Sequence, residues 1–541
     1  MTTHVTDAPT DAHVANEITP STSRAEIISY DPATGEEIGR APLRSAAEVR
    51  EAVARARGAQ KSWGTRSFRE RAAVILRARE IVLAELEEIA ALVARESGKP
   101  AAEAVSMELV PMLDLIRYFA AQTEKLLRPQ RVRIGQYALM GRTSRIVYRP
   151  VGVVGIISPW NFPWATPVGE IVMALMCGNA VVFKPSELTP LVGLKIAGVF
   201  ARAGLPAGLL ETVTGDGSTG AALVESGVDK LMFTGSVQTG RRVAETAGRN
   251  LTPVVLELGG KDPMIVLEDA DLETAARAAV WGAFANCGQA CASVERCYVH
   301  ERVAKQFTER VVALTNELRL RGAGAVGEDA DVGAMSSERQ RQIVEAHVED
   351  AKARGARLLT GGERGRDDAG WFMQPTVLSN VSHDMEVMRE ETFGPVLPLM
   401  TFTSDEEAIR FANDSPYGLT ACVWTRDIAR GERVARRLEA GTVMVNEVLY
   451  THGIAQTPWG GVKLSGIGST HGRAGLLQLV HAQHLHVNRL PRLRDVWWFN
   501  YTPEAAALFR GLARRFSSGS ALQTSLLLPQ LIRRLRERGT K

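Results

Sequence analysis

The sequence predicts an α/β protein with a doubly wound parallel sheet at its centre. Three observations predict it. Short apolar or β-branched runs in NAVVFKPS, LLETVTG and KLMFTGS each end in Gly, Ser or Pro. Helix-forming stretches lie between them, over 191–203, 220–226 and 240–247. A second set of the same kind follows, from PMIVL through CYVH, PTVL and ACVWT. Strand, helix, strand at this spacing is how parallel sheets are connected.

The elements follow in chain order. Residues 1–24 are rich in Thr, Ala, Ser, Asp and Pro and read as a disordered lead. With no basic start and no apolar run, they do not read as a signal peptide. Residues 45–97 are helical, because apolar residues recur at three and four among Ala, Arg, Glu and Leu. RIVYRPVGVVGIISP then reads as two short strands, and the α/β pattern runs on from there. A chain of 541 residues exceeds one core, so two or three domains are expected. No apolar run reaches the ~18 residues of a spanning helix.

Charge is uneven. Residues 487–541 hold eleven Lys and Arg against three Asp and Glu, about +8, which leaves about −5 for the remainder of a chain at +3. A basic excess confined to one tail, without a nucleic-acid motif, argues against nucleic acid as a partner. Five cysteines in this length are no disulfide scaffold and fit a reducing cytoplasm.

Three of those cysteines fall in FANCGQACASVERC, residues 284–297. Zinc sites want closed sets such as CxxC pairs with His; here the spacings are four and six, so no metal is expected. Cys291 follows Gly288, Gln289 and Ala290, which suit a tight turn opening a helix, and a helix start lowers a thiol's pKa. The other reading of any one of these cysteines is a buried small hydrophobe. In VVLELGGKDP, Glu257 ends an apolar run, where burial raises a carboxyl pKa and suits a general base. In SPWNFP, Asn161 sits in a stiff loop and its amide suits an oxyanion donor. In FTGSVQTG, Gly235 and Ser236 turn into a helix whose free N–H groups favour a pyrophosphate. In KPSE, Lys184 and Glu187 suit ribose hydroxyls, or form a plain strand-to-helix cap. GDGSTG, with Gly215, Gly217 and Gly220, spells a dinucleotide fingerprint but lacks the acidic residue beyond it; a Gly-rich turn is the other reading.

SPWNFP, KPSE, FTGS, LELGGKDP, FANCGQAC, EETFGPV and PWGGVKLSG, in that order, resemble the NAD(P)-dependent aldehyde dehydrogenase superfamily over about 27–487. The resemblance implies an aldehyde dehydrogenase-like fold. A Rossmann-like cofactor domain would span 25–128 and 150–257, a catalytic domain 258–476, and a small β oligomerisation arm 129–149 and 477–489. Residues 490–541 would be a basic amphipathic extension.

The resemblance also implies roles. Cys291 would be the nucleophile, Glu257 the base for water, and Asn161 with the Cys291 N–H the oxyanion donors. Lys184 and Glu187 would hold the adenosine ribose, Gly235 and Ser236 the pyrophosphate, and Glu391 the nicotinamide ribose. Phe393 would pack on the ring, with Trp160 beside the same site. It makes GDGSTG a decoy. Aldehyde would become acid through a thiohemiacetal and a thioester, with hydride passing to the nicotinamide. Glu257 favours hydrolysis over acyl transfer to coenzyme A. Glu187 favours NAD, with NADP second. A homodimer or homotetramer is implied.

Semialdehyde-specific members commonly carry Arg where this chain has Gly169 and Ala285. That favours a neutral aliphatic or aromatic aldehyde, in a pocket expected to include Trp164, over succinate semialdehyde. Arg296, or the loop near Tyr450 and His452, could still bring a cation. A non-catalytic member would lack Cys, Glu or Asn, and all three are present. In the extension, Leu508, Phe509, Leu512 and Phe516 form one helical stripe beside Arg510, Arg514 and Arg515. From 503 to 541 the extension reads either as a peripheral contact with an anionic membrane or as a helix packed on the protein.

Overall fold

The computed structural model describes residues 25–320, 330–365, 370–491, 495–516 and 527–536. The predicted disordered lead lies outside the described residues. Two large sheets carry the fold. The first has the order Gly466–Ile467, Val254–Glu257, Lys230–Thr234, Val153–Ile157, Ala180–Lys184, Leu210–Thr212. All pairs are parallel except the short first strand, which runs antiparallel to Val254–Glu257. Its central strands, Val153–Ile157 and Ala180–Lys184, are buried at every position, which is why they read as unbroken apolar runs.

The second sheet has the order Arg357–Thr360, Thr376–Ser379, Val396–Phe402, Val294–His300, Asp262–Val266, Thr420–Trp424, Thr442–Val445. It is parallel apart from its first pair. Each sheet has its own apolar core, and Phe162 packs against both. The two cores therefore meet at the SPWNFP loop.

Local chemistry explains the N-terminal helices. Ser45 and Ser67 each cap a helix, Ala46–Trp63 and Phe68–Ala84, with Glu48 and Glu70 returning to the cap N–H. The GDGSTG stretch is likewise a cap: Asp216 accepts from Ser218 N at 2.8 Å and opens the helix Gly217–Glu225.

A third, antiparallel sheet joins Val480–Asn488, Arg142–Pro150 and Gln130–Val132. Beyond it, the helices Pro503–Phe516 and Leu528–Arg536 pack on each other. Of the two readings of the extension, the stripe follows the packed one in part: Leu508 and Leu512 are buried against Leu527 of the same extension, with Phe509 beside them, while the side chains of Arg515 and Phe516 lie outside the described residues. An apolar stripe finds the nearest apolar surface, and here the chain supplies it. No helix of the described residues is long and apolar enough to cross a membrane.

Candidate active site

The first sheet reverses its strand order between Val153–Ile157 and Lys230–Thr234. Open α/β sheets bind ligands at such a switch, outside the carboxyl ends of the strands. The first of these strands runs into Trp160 and Asn161, and the second into Gly235 and Ser236. All four line one cavity of about 400 Å³. Glu257, ending the next strand, lines it as well. So do Cys291, Glu391 and Phe393, which arrive from the side of the second sheet. The structure thus brings eight of the ten predicted site residues into one space. Lys184 and Glu187 are not part of this lining. They pair with each other at 3.0 Å, at the end of the strand beside Val153–Ile157.

The Cys291 loop departs from expectation. No helix starts there: Cys291 lies in a turn between the short 3-10 helix Ala285–Gly288 and the strand Val294–His300. Asn286, Cys287 and Gly288 take φ of 53°, 55° and 69°, three left-handed residues in a row. A side chain on Gly288 would sit 2.2 Å from the Gly394 carbonyl, so only glycine fits. Neighbours hold this costly backbone. Asn286 N donates to Glu103 Oε1 at 2.9 Å, and Asn286 Nδ2 donates to the Asn161 carbonyl at 3.0 Å.

The thiol's pKa moves the opposite way to the sequence expectation. Burial pushes it well up, and Asp262, Glu391 and Glu257 push it further. A helix dipole is missing and carboxylates surround the sulfur. Cys287 and Cys297 are fully buried, whereas Cys291 is half-buried at the cavity.

Glu257 behaves as its sequence setting implied. Its carboxyl is buried, no group of the described residues hydrogen-bonds either oxygen, and burial holds its pKa well above the usual range. The charge of Glu170 adds to that shift. Glu170 was missed in the sequence, although a lone acid inside PVGEIVMAL was a signal. It lines the cavity, and burial pushes its pKa up to about 8. His452 and His471 line the same end, with ring centroids 4.8 Å apart. Burial lowers both imidazoles, His452 to about 4, so both are neutral at pH 7. Glu170→Gln removes a negative neighbour that raises Glu257. Glu257 then reaches its base form at lower pH, and the acid limb of the kcat profile shifts down. A limb that stays put would show that the Glu170 charge is not felt.

Two further expectations need correction. Trp164 is buried in the protein and does not line the cavity; its backbone N–H donates to Glu108 Oε2 at 2.8 Å. Arg296 brings no cation: its guanidinium is spent on the carbonyls of Lys261, Phe411, Ala412 and Asp414.

Features of the chain fit a dinucleotide. Ser236 caps the 13-residue helix Val237–Arg249, whose first N–H groups open beside the cavity. A side chain on Gly259 would strike Glu391 at 2.2 Å, so this glycine keeps the Glu391 carboxylate beside the backbone. Trp160 and Phe393 meet edge to face, 5.4 Å apart, in the lining of the cavity.

The family model described as "Aldehyde dehydrogenase family" matches residues 18–485. The chain belongs to the aldehyde dehydrogenase family. A Methylomonas protein named 4,4'-diapolycopene aldehyde oxidase is 40% identical, across 94% of this chain and 95% of its own. A Mycolicibacterium smegmatis protein, provisionally named succinate-semialdehyde dehydrogenase (NADP+), is 43% identical across 85% and 88%. A Mycobacterium tuberculosis aldehyde dehydrogenase solved with NAD+ superposes with a TM-score of 0.81 at 36% identity, covering 87% of this chain and 95% of that one. This aldehyde dehydrogenase is accordingly a nicotinamide-dependent oxidoreductase acting on an aldehyde.

Buried ion pairs set the dehydrogenase's site from behind. Lys99 pairs with Glu108 and donates to the Asn161 carbonyl at 2.8 Å, while Glu108 also holds the Trp164 and Ala165 N–H groups. Lys261 pairs with Glu295, whose oxygens accept from Thr392 N and Phe393 N at 2.8 and 2.9 Å. That clamp fixes the loop carrying Glu391 and Phe393. Glu295→Ala leaves the buried Lys261 without its anion, and the expected loss is about 3–5 kcal/mol of stability. Urea unfolding measures it; a loss under ~1 kcal/mol would mean that the pair holds little together.

Proposed function

We propose that this dehydrogenase oxidises an uncharged, apolar aldehyde to its carboxylic acid, through a thioester on Cys291 that water cleaves. One observation carries the reading. Cys291, Glu257 and Asn161 share a cavity whose described lining holds three carboxyl groups, Glu170, Glu257 and Glu391, and no Lys or Arg. An acid-bearing substrate would lose its hydration there and meet no countercharge, since the histidines are neutral and the carboxyl groups supply no positive charge. The cavity's outer part carries Tyr450 and Trp281, 60% and 44% exposed, apolar faces that suit a hydrocarbon chain. The Methylomonas relative supports this, since the aldehyde in its name is a polyene. Succinate semialdehyde is the second reading, favoured by the names of other relatives. It needs a cation that the described lining lacks.

Cys291 Sγ attacks the aldehyde carbon. Asn161 Nδ2 gives one hydrogen to the Gln289 carbonyl at 2.9 Å and keeps its second for the oxyanion, and the Cys291 N–H offers its one hydrogen to the same oxygen. Such a donor contributes about 2.7–4 kcal/mol. When bound, oxidised nicotinamide supplies positive charge that favours the thiolate, and it takes the hydride. Glu257 then removes a proton from water as the water attacks the thioester. The rings of Trp160 and Phe393 would hold the nicotinamide, Glu391 its ribose, Gly235 and Ser236 the pyrophosphate, and Lys184 with Glu187 the adenosine ribose. The Glu187 carboxylate, 48% exposed, would repel a 2′-phosphate, which favours NAD over NADP.

The cysteines fit a cytoplasmic enzyme. Among the described residues the nine-residue edge strand Val480–Asn488 has no strand on its other side and offers a pairing edge to a second copy, hence a homo-oligomer. NADH formation from decanal, benzaldehyde and succinate semialdehyde, each with NAD and NADP, tests the proposal. The expected order puts both neutral aldehydes with NAD first. Preference for succinate semialdehyde would overturn the substrate reading.

A further inference from the structure

The extension carries a second surface, far in sequence from the catalytic motifs. Two leucines of its apolar stripe are consumed internally, Leu508 and Leu512 against Leu527. What remains outside is different. Trp497, Trp498, Phe499 and Tyr501 are 42%, 57%, 79% and 62% exposed, in one short connection before the helix Pro503–Phe516. Four large aromatic rings facing solvent within five residues is costly unless something covers them.

The connection is built, not loose. Arg534, itself buried, donates to the carbonyls of Trp498 and Asn500 at 2.8 and 2.6 Å. Trp497 stacks on Phe509 at 5.4 Å, and Phe499 lies 5.0 Å from Tyr501. Val496 is buried beneath. At its start, Asp495 pairs with Arg142 of the antiparallel sheet. The backbone is thus clamped inward while the rings stay outside. The two helices that this connection touches carry exposed basic residues: Arg510 on one, Arg533 and Arg536 on the other. Leu528 and Ile532 of the second helix are exposed as well, at 49% and 40%.

We propose that residues 496–501, with the arginines of the two helices behind them, dock this enzyme on the surface of an anionic lipid bilayer. Trp and Tyr join an apolar ring to a polar tip, which suits the boundary between headgroups and acyl chains. Arginines beside them add attraction to anionic headgroups. Charge complementarity selects the bilayer over a second copy of the chain. The tail from 487 on is about +8, so pairing two such patches would set like charges together, whereas a layer of anionic headgroups supplies the opposite sign. The inference does not depend on the proposed aldehyde.

Co-flotation of the full-length enzyme with vesicles tests it, using phosphatidylcholine alone or with about 30% phosphatidylglycerol. The expected result is binding to the anionic vesicles, weakened by ~0.5 M salt, and reduced roughly tenfold or more in Trp498→Ser/Phe499→Ser. Both substituted side chains are exposed, so folding and benzaldehyde turnover should be unchanged. Brominated lipid should quench the fluorescence of the native enzyme, and less so that of the double variant. Absence of binding, or binding unaffected by the double substitution, overturns the proposal. Light scattering adds a third arm: dissociation of an oligomer in the double variant would make the occupant a second copy and equally overturn it. Failure of the apolar-aldehyde reading would appear in the turnover assay and leave flotation unchanged.

Discussion

Cys291→Ala is expected to reduce NADH formation to background, a loss of at least about 10⁴-fold in kcat, with thermal stability nearly unchanged. As the proposed nucleophile, Cys291 starts the covalent route, and without it neither thiohemiacetal nor thioester forms. Cys291 is half-buried at the end of a turn, so truncating it to alanine leaves little new cavity. The neighbours supply the contrast. Cys287 and Cys297 are packed in the second core, so Cys297→Ala should lower stability by about 1–2 kcal/mol and leave kcat within a few-fold. Retained turnover in Cys291→Ala, measured at saturating aldehyde and NAD, would remove the thioester route.

Glu257→Gln should separate the two halves of the reaction. Attack by Cys291 and hydride loss need no carboxylate at 257, whereas thioester hydrolysis needs a base for water. Rapid mixing should show a burst near one NADH per subunit, followed by a steady rate down roughly 10²–10⁴-fold. The stalled enzyme should carry the acyl group on Cys291, visible as added mass. A lost burst would place Glu257 in the first half instead. The native group should also set the pH profile. Burial, then Glu170, raises its pKa, so its base form and the hydrolysis rate grow with pH above the usual carboxylate range.

The sheets were readable because buried parallel strands are continuous apolar runs. AVVFK and VVGII could hardly be anything else. The motifs were readable because each is a local device, a turn or a strand end, whose chemistry depends on immediate neighbours. Local reasoning failed where the partner is distant. FANCGQAC looked like a helix opening, but Gly394, Glu103 and Asn161 hold that loop in a left-handed kink and a strand follows. Trp164 looked like a pocket wall, yet Glu108, 56 residues earlier, turns its backbone into the core. Lys261 and Glu295 are 34 residues apart and gave no sign of pairing.

By itself, then, the sequence determined the α/β class, the sheet-forming runs and the residue types able to do thiol and carboxylate chemistry. Those follow from side-chain periodicity and from groups whose reactivity is intrinsic. Only the tertiary structure decided that eight of those residues share one cavity, that carboxylates push the thiol's pKa up, and that no lysine or arginine enters the described lining. It also turned Leu508, Leu512 and Leu527 inward and the aromatic rings of 497–501 outward. Electrostatics and burial depend on distances in space, which separation along the chain does not encode.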